Sequence, residues 1–226
     1  MFPISDSVPA RTFPIANIAI IVATVFVFIQ QLVSPDPEAF IYQYAFIPAE
    51  IDFGNAYTLT TFITSMFLHG GLLHIISNMW FLWVFGDNVE GYLGKLGFLV
   101  TYFVSGIVGG LLQYSIAPNS PIPMLGASGA VAGALGAYYV LFPHSKIKTL
   151  VPFFGFASIV EIGAPLMLGY WFILQVFSGA ASLPFISEQG GGVAFWAHVG
   201  GFAAGVILAN LMKKRDGSEH IEASVA

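Results

Sequence analysis

The fold is decided by residues 96–145, which read LGFLVTYFVSGIVGGLLQYSIAPNSPIPMLGASGAVAGALGAYYVLFPHS and contain no charged side chain over 50 positions. A helix needs about 20 apolar residues to cross a bilayer, so this run has room for two crossings. The segment 117–123, APNSPIP, separates them, because its prolines cannot continue a helix. The stretch therefore predicts a pair of membrane-spanning helices joined by a short loop.

The rest of the chain repeats this pattern of long uncharged runs. Only 8% of the 226 residues are charged, whereas about 25% is usual in soluble domains. Further uncharged runs cover residues 12–35, 53–86, 162–187 and 189–212. This composition excludes a soluble globule, a disordered chain, a coiled coil and a nucleic-acid-binding protein. The absence of Cys excludes disulfides, a thiolate nucleophile and Cys-ligated metal sites.

We therefore expect an all-α polytopic membrane protein in which residues 1–226 form a single six-span domain. The predicted spans are roughly Ile15–Val33, Leu72–Phe85, Leu96–Tyr114, Ala127–Leu141, Ala164–Phe177 and Val193–Met212. Short tails, residues 1–13 and 213–226, flank this domain.

Basic residues predict the orientation of the bundle. With six spans, all of them fall on one side of the membrane: Arg11, Lys95, Lys146, Lys148, Lys213, Lys214 and Arg215. The positive-inside rule makes that side cytoplasmic, so both termini are expected there. Glu161 just precedes the break before span 5, and we expect it at the cytoplasmic interface.

The longest outward loop is Ser34–Gly71, which carries four acidic residues and several aromatic ones. Two interpretations stay open for it. It is either an interfacial loop partly embedded among lipid headgroups or a plain acidic linker.

Three polar clusters lie where the membrane should not tolerate them. Their sequences are HGGLLHIISN at 69–78, GASG at 126–129 and AHVGG at 197–201. Spans 2, 4 and 6 all run from outside to inside, so the three clusters share one depth near the outer face. Polar side chains inside spans are costly and tend to be functional, so the clusters predict a site.

The residue types in these clusters suit nucleophilic catalysis. Ser128 lies in the first turn of its helix, where free N–H groups and the helix dipole favour negative charge. His198 is a candidate general base, and His74 and Asn78, four residues apart, share a helix face as donors for an oxyanion. Small-residue stripes on spans 4 and 6 would let the two helices approach closely. Since no carboxylate lies at this depth, the prediction is a Ser-His dyad rather than a triad.

Structural roles remain open for each residue taken singly. Ser128 could be a packing residue, His198 could bond between helices, and His74 and Asn78 could hold helices together. A metal site built from His69, His74 and His198 is the competing use of the histidines. It ranks lower, because no carboxylate or thiolate joins them and His69 lies off the face of His74. A small-solute channel or transporter is disfavoured by the lack of repeats and of a charged pathway.

These motifs together resemble the rhomboid family of intramembrane serine proteases. The likeness rests on the three polar clusters and Gly205, and is extended by Gly86, Glu90 and Gly94. It covers nearly the whole chain as a six-helix, bacterial-type core. The resemblance implies a rhomboid-like bundle in a prokaryotic inner membrane, with an active site that opens to the outer side. A catalytically silent binder of transmembrane helices is the alternative that this resemblance leaves open.

The resemblance also implies roles for individual residues. Ser128 would be the nucleophile and His198 the base. Oxyanion and substrate-binding contacts would come from His74, Asn78, Gly126 and the Ser128 backbone. Trp171 and Phe172 would line a lateral gate.

Substrates would be single-span membrane proteins of the lipid bilayer, cut near the outer membrane face where their helix unwinds, with no cofactor, no metal and no nucleic acid involved. No sequence feature indicates an oligomeric state. Many members have an aromatic residue that stacks on the histidine at the position of Ala132, so no orienting residue for His198 is assigned.

Overall fold

The chain folds mainly into helices. The computed structural model describes residues 2–153, 156–183 and 193–213. Within these ranges the helices are α1 (Ile15–Val33), α2 (Pro37–Tyr44), α3 (Ala56–Thr64), α4 (Leu72–Ile116), α5 (Ser128–Leu141), α6 (Ala164–Ser182) and α7 (Phe195–Met212). Apart from Lys213, the predicted C-terminal tail lies outside the described residues.

Four helices, α1, α4, α6 and α7, are long and apolar enough to cross a membrane, and α5 is apolar but shorter, with 14 residues. The bounds of α1 are those predicted for the first span. Helix α5 begins one residue later than predicted. Helix α6 extends beyond Phe177 to Ser182, and α7 begins at Phe195 rather than at Val193. Charge-free runs thus locate these helices to within a few residues.

Helix α4 differs from the prediction of two spans separated by a loop. It is one helical run of 45 residues, interrupted only at Gly94, where φ is 74°. That left-handed angle suits glycine, which has no Cβ. Glu90 remains helical because its carboxylate has partners: it accepts hydrogen bonds from the N–H groups of Ala16 (3.1 Å) and Asn17 (2.7 Å) at the start of α1. A charge capping a helix N-terminus is satisfied inside the protein.

The all-α expectation missed a three-stranded antiparallel sheet. Its strands are β1 (Phe2–Asp6), β2 (Lys146–Phe153) and β3 (Phe156–Gly163), in the order β1-β2-β3. Exposed Lys146 and Lys148 alternate in β2 with fully buried Ile147 and Thr149, and this period of two is typical of a strand. Glu161 in β3 is exposed, and it pairs with Lys146 at 3.8 Å.

The predicted N-terminal tail is anchored through β1 and Asp6. Asp6 Oδ2 accepts hydrogen bonds from Asn88 Nδ2 on α4 (2.7 Å) and from the hydroxyl of Tyr138 on α5 (2.6 Å). Burial raises the pKa of Asp6 to about 6, although the hydrogen bond from Tyr138 acts in the opposite direction. The tail therefore ties the ends of two helices together.

The long loop between α1 and α4 is a folded support rather than an open linker. It contains α2 and α3, and the N–H of Met124 donates to the carbonyl of Phe46 at 2.8 Å. The N–H of Gly126 donates to the carbonyl of Ser65 at 2.9 Å. The loop thereby holds the segment that leads into α5.

Helices α5 and α7 pack backbone against backbone. A Cβ added to Gly201 would collide with the carbonyl oxygen of Gly129, and one added to Gly205 would collide with that of Gly133. These residues belong to the small-residue stripes identified in the sequence. Only glycine permits this approach, so the stripes set the distance between the two helices.

Candidate active site

Ser128 is the first residue of α5. The N–H of Val131 donates a hydrogen bond to the carbonyl of Ala127. The N–H groups that come before it belong to the first turn of α5, where no helical carbonyl is available to accept from them. Gly126, just upstream, has φ of 122°, a left-handed angle that glycine adopts without strain. The hydroxyl therefore sits beside backbone donors at the positive end of a helix.

His198 faces Ser128 from α7. Its Nε2 lies 2.7 Å from Ser128 Oγ, and its side chain is largely buried. Its other ring nitrogen, Nδ1, lies 2.8 Å from Oε1 of Gln175 on α6. An amide oxygen only accepts hydrogen bonds, so Nδ1 carries the proton in the neutral ring and Nε2 presents its lone pair to the serine. This tautomer is the one that a general base requires.

His74 and Asn78 lie one turn apart on α4 and line the same cavity as Ser128. His74 Nδ1 accepts a hydrogen bond from the N–H of Gly70 at 3.3 Å, so the neutral ring bears its proton on Nε2. A Cβ at Gly126 would lie only 2.7 Å from His74 Nε2 and 3.8 Å from Asn78 Nδ2. The missing side chain of Gly126 thus leaves room in front of two donors.

Asn78 Nδ2 is a buried donor without a hydrogen-bond partner in the described part of the chain. An unpaired buried donor costs roughly 1–3 kcal/mol, so a native protein that keeps one often has a use for it. A developing negative charge next to Ser128 would satisfy it. A free donor of this kind, in the cavity that Ser128 also lines, suits the binding of an oxyanion.

A cavity of about 680 Å³ connects these groups. Its lining includes His74, Asn78, Ser128, Trp171 and His198, together with loop residues such as Pro48 and Ser120. This is the cavity above Ser128 that a hydrolase would need for water and for a peptide segment.

The two gate candidates occupy different environments. The ring of Trp171 stacks on that of His198, with centroids 5.9 Å apart and an interplanar angle of 30°. Phe172 stacks instead on Phe202 of α7 at 4.7 Å and does not line the cavity. Their role in a gate remains a prediction.

Sequence reasoning missed Gln175. A signal was available, since Gln175 is a polar side chain in an apolar span and lies four residues after Trp171, on the same helix face. Ala132 cannot orient His198, and the side chain that contacts the ring instead, Gln175, lies on α6.

His69 is packed inside the protein. Its side chain is fully buried, its backbone bonds to Gln31 on α1 (2.7 and 3.2 Å), and its ring lies edge-on to His74 at 5.0 Å. Among the residues described, no group of three His, Asp or Glu side chains could hold a metal ion. The alternative metal site thus lacks a donor set in this part of the chain.

Comparison with known proteins identifies the family. The family model of the rhomboid domain matches residues 56–215. Rhomboid protein 1, mitochondrial, of Saccharomyces cerevisiae is 35% identical over 151 residues, which are 64% of this chain and 39% of that protein. Rhomboid-like protein 11, chloroplastic, of Arabidopsis thaliana is 32% identical over 159 residues, which are 68% of this chain and 52% of the relative.

A third relative is the presenilin-associated rhomboid-like protein, mitochondrial, of Homo sapiens. It is 30% identical over 99 residues, which are 42% of this chain and 26% of the human protein. This chain thus spans about half or less of the length of the relatives it matches. Their names place them in mitochondria and chloroplasts, so they lend no support to a prokaryotic inner membrane. The family model covers more than half of the chain, and this protein belongs to the rhomboid family of multi-pass integral membrane proteins.

Proposed function

We propose that this rhomboid protein is an intramembrane serine endopeptidase that uses a Ser-His dyad and no cofactor. The observation that carries the proposal is the 2.7 Å contact between Ser128 Oγ and His198 Nε2, in a cavity that His74 and Asn78 also line. A hydroxyl paired with an imidazole of the correct tautomer is an activated nucleophile.

The proposed topology has six crossings, obtained by dividing α4 at Gly94. Both termini and the sheet then lie on the cytoplasmic side, where the basic residues gather. The cavity opens toward the outer side. Substrates in this proposal are single-span membrane proteins whose helix unwinds near the outer face and delivers an extended segment to Ser128.

Acylation begins when Ser128 Oγ attacks the scissile carbonyl carbon and its proton passes to His198 Nε2. The carbonyl electron pair moves to the oxygen, which accepts hydrogen bonds from Asn78 Nδ2, His74 Nε2 and the N–H of Ser128. The intermediate then collapses and the C–N bond breaks. His198 gives its proton to the leaving amine, and an ester of Ser128 remains.

Deacylation reverses these roles. A water molecule from the cavity loses a proton to His198 as its oxygen attacks the ester carbonyl. When this second intermediate collapses, the electron pair returns to Ser128 Oγ, which takes the proton back from His198. The product is a carboxylic acid, and the dyad is restored.

The test is cleavage of a model single-span substrate by the purified protein in liposomes, with fragments identified by mass spectrometry. The wild-type protein should cut, and Ser128→Ala should not. Ser115→Ala is the matched control, because Ser115 is exposed near the end of α4 and bonds only to the carbonyl of Leu112 within that helix. Full cleavage by Ser128→Ala would refute the proposal, and substrate binding without turnover by the wild-type protein would favour the silent binder.

A fluorophosphonate probe tests the dyad separately. Such a probe should label Ser128 in the wild-type protein and should fail to label the His198→Ala variant. Labelling that persists undiminished in His198→Ala would show that Ser128 does not depend on this base.

A further inference from the structure

His198 is held on three sides. Its Nε2 faces Ser128, its Nδ1 lies 2.8 Å from Gln175 Oε1, and its ring face stacks on Trp171 at 5.9 Å. Position 132, where the resemblance suggested an aromatic ring, is a fully buried alanine. Both orienting contacts come instead from α6.

Trp171 and Gln175 stand on adjacent turns of one face of α6, because they are four residues apart. The opposite face is exposed at Tyr170 (52%), Ile173 (52%) and Phe177 (70%). The fully buried residues of α6 lie nearer its ends: Ala164, Met167, Leu168 and Gly179. The middle of this helix therefore meets the bundle through a few side chains, and two of these contact the ring of His198.

The amide of Gln175 does more than fill space. Its oxygen keeps the proton on Nδ1 and so leaves Nε2 free to accept the serine proton. Once His198 takes that proton, the bond from Nδ1 to Oε1 becomes charge-assisted and roughly twice as strong. An interaction that strengthens as charge develops accelerates the reaction rather than merely stabilising the resting protein.

We infer that Gln175 is a positioning residue for this site and that Trp171 fixes the plane of the imidazole. The position of α6 then determines whether His198 can act as a base. This inference rests on the proposed function. Any displacement of α6 that admits a substrate withdraws the acceptor from Nδ1. His198 is oriented to act as a base again only when the middle of α6 returns to α7. Entry of the substrate is thereby coupled to the reaction at Ser128.

The experiment compares Gln175→Leu, which removes the acceptor, with Gln175→Glu, which keeps an acceptor of the same length and adds a charge. Ile173→Ala is the control, since Ile173 lies on the exposed face two residues away. Each variant is assayed in liposomes for kcat, KM and the pH profile of cleavage, and for its rate of labelling by the fluorophosphonate. His74 is the other titratable side chain in the cavity lining, and it is unchanged throughout.

Gln175→Leu should lower kcat and the labelling rate by about 10–100-fold with little change in KM, as is typical when the partner that orients a functional histidine is lost. Gln175→Glu should retain cleavage at high pH, while the acid limb of its profile moves up by about one pH unit or more, because a nearby carboxylate favours the imidazolium. Ile173→Ala should behave as the wild-type protein.

A wild-type kcat and labelling rate in Gln175→Leu, or an unshifted profile in Gln175→Glu, would overturn the inference while leaving the protease proposal intact. If Gln175→Leu does not fold, the profile of Gln175→Glu alone decides. Failure of the proposed function looks different, because the wild-type protein itself would then neither cleave nor label at Ser128.

Discussion

Two interfaces position the candidate dyad, and they are built in opposite ways. Between α5 and α7 the contact is made by backbone, with Gly201 and Gly205 lying against the carbonyl groups of Gly129 and Gly133. Between α6 and the same α7 the contact is made by side chains, including the stacking of Phe172 on Phe202. The first interface is set mainly by backbone, although the rings of Tyr139 and Phe202 also meet across it, whereas the second is made by side chains that have rotamers.

The two interfaces therefore meet two different requirements of the site. The distance from Ser128 to His198 depends on how closely two helices approach, and glycines enforce that approach. The orientation of the imidazole depends on side chains of α6, a helix whose middle turns are half exposed. In the proposed protease this division would help the site to admit a large substrate, because α6 can shift without separating Ser128 from His198.

The sharpest way to break the comparison is to place one methyl group in the glycine contact between α5 and α7 and the same methyl group on α6. Gly205→Ala puts a Cβ into the carbonyl of Gly133, so α5 and α7 must separate. Overpacking of this kind costs about 1–3 kcal/mol, and a 1 Å misplacement of catalytic groups costs about 100-fold in rate. We expect Gly205→Ala to lower the melting temperature in nanodiscs and to reduce cleavage below detection.

Gly169→Ala is the matched control on α6, where a Cβ would meet only Tyr139 at 3.9 Å. We expect near-normal cleavage and a melting temperature that is unchanged or slightly raised, since alanine is the better helix former by about 1 kcal/mol. Equal damage from the two substitutions would show that the glycine contact between α5 and α7 constrains the protein no more tightly than the packing of α6 does.

The second prediction concerns Asn78, the buried donor that α4 contributes to the cavity. Asn78→Ala removes an amide whose nitrogen has no partner in the residues described. Loss of one oxyanion donor typically lowers kcat by about 100- to 1000-fold. The melting temperature should stay the same, because no protein contact of that nitrogen is lost. A lower melting temperature with normal kcat would instead make Asn78 a structural link between helices.

The third prediction concerns the side-chain contacts of α6. Trp171→Ala removes the ring that stacks on His198, and stacked aromatic pairs contribute about 0.5–1.5 kcal/mol, or up to about 10-fold in rate. Trp171→Phe should recover most of the activity. Labelling by the small fluorophosphonate should follow the same order, since it reports the dyad without the passage of a large substrate. If only cleavage of the large substrate changes, Trp171 acts on access rather than on His198.

The smallest effect is expected far from the cavity, at the anchored N-terminal strand. Burial raises the pKa of Asp6 from its ordinary value of 3.8 to about 6, so the folded state favours the protonated form. The contribution to stability therefore falls as pH rises from about 4 to about 6 and stays level above that range. Asp6→Asn should flatten this part of the curve of melting temperature against pH and leave cleavage unchanged. Curves that remain parallel for the two proteins would contradict the assignment.

Patterns of charge and polarity predicted much of the molecule. Uncharged runs located α1, α5, α6 and α7, because a bilayer-spanning helix excludes charge over a length that sequence reveals directly. Ser128 and His198 were paired in the prediction because both carry chemistry at one depth. Their assigned roles stay predictions until cleavage is measured.

Other features depended on partners distant in sequence. Glu90 looked like a loop residue because its partners, the N–H groups of Ala16 and Asn17, lie more than 70 positions away. The sheet was missed because β2 follows an apolar helix, and its partner β1 lies more than 140 positions earlier in the chain. Gln175 is a single polar residue, and only the packing of α6 against α7 gives it a partner.

The glycine contact between α5 and α7 also has an entropic consequence. Glycine has no rotamers to lose, so these glycine contacts carry no side-chain entropy cost that would grow with temperature. On warming, side-chain motion should loosen the contacts of α6 well before it changes the spacing of α5 and α7. The protein should therefore lose the orientation of the His198 ring at a lower temperature than it loses the proximity of Ser128 and His198.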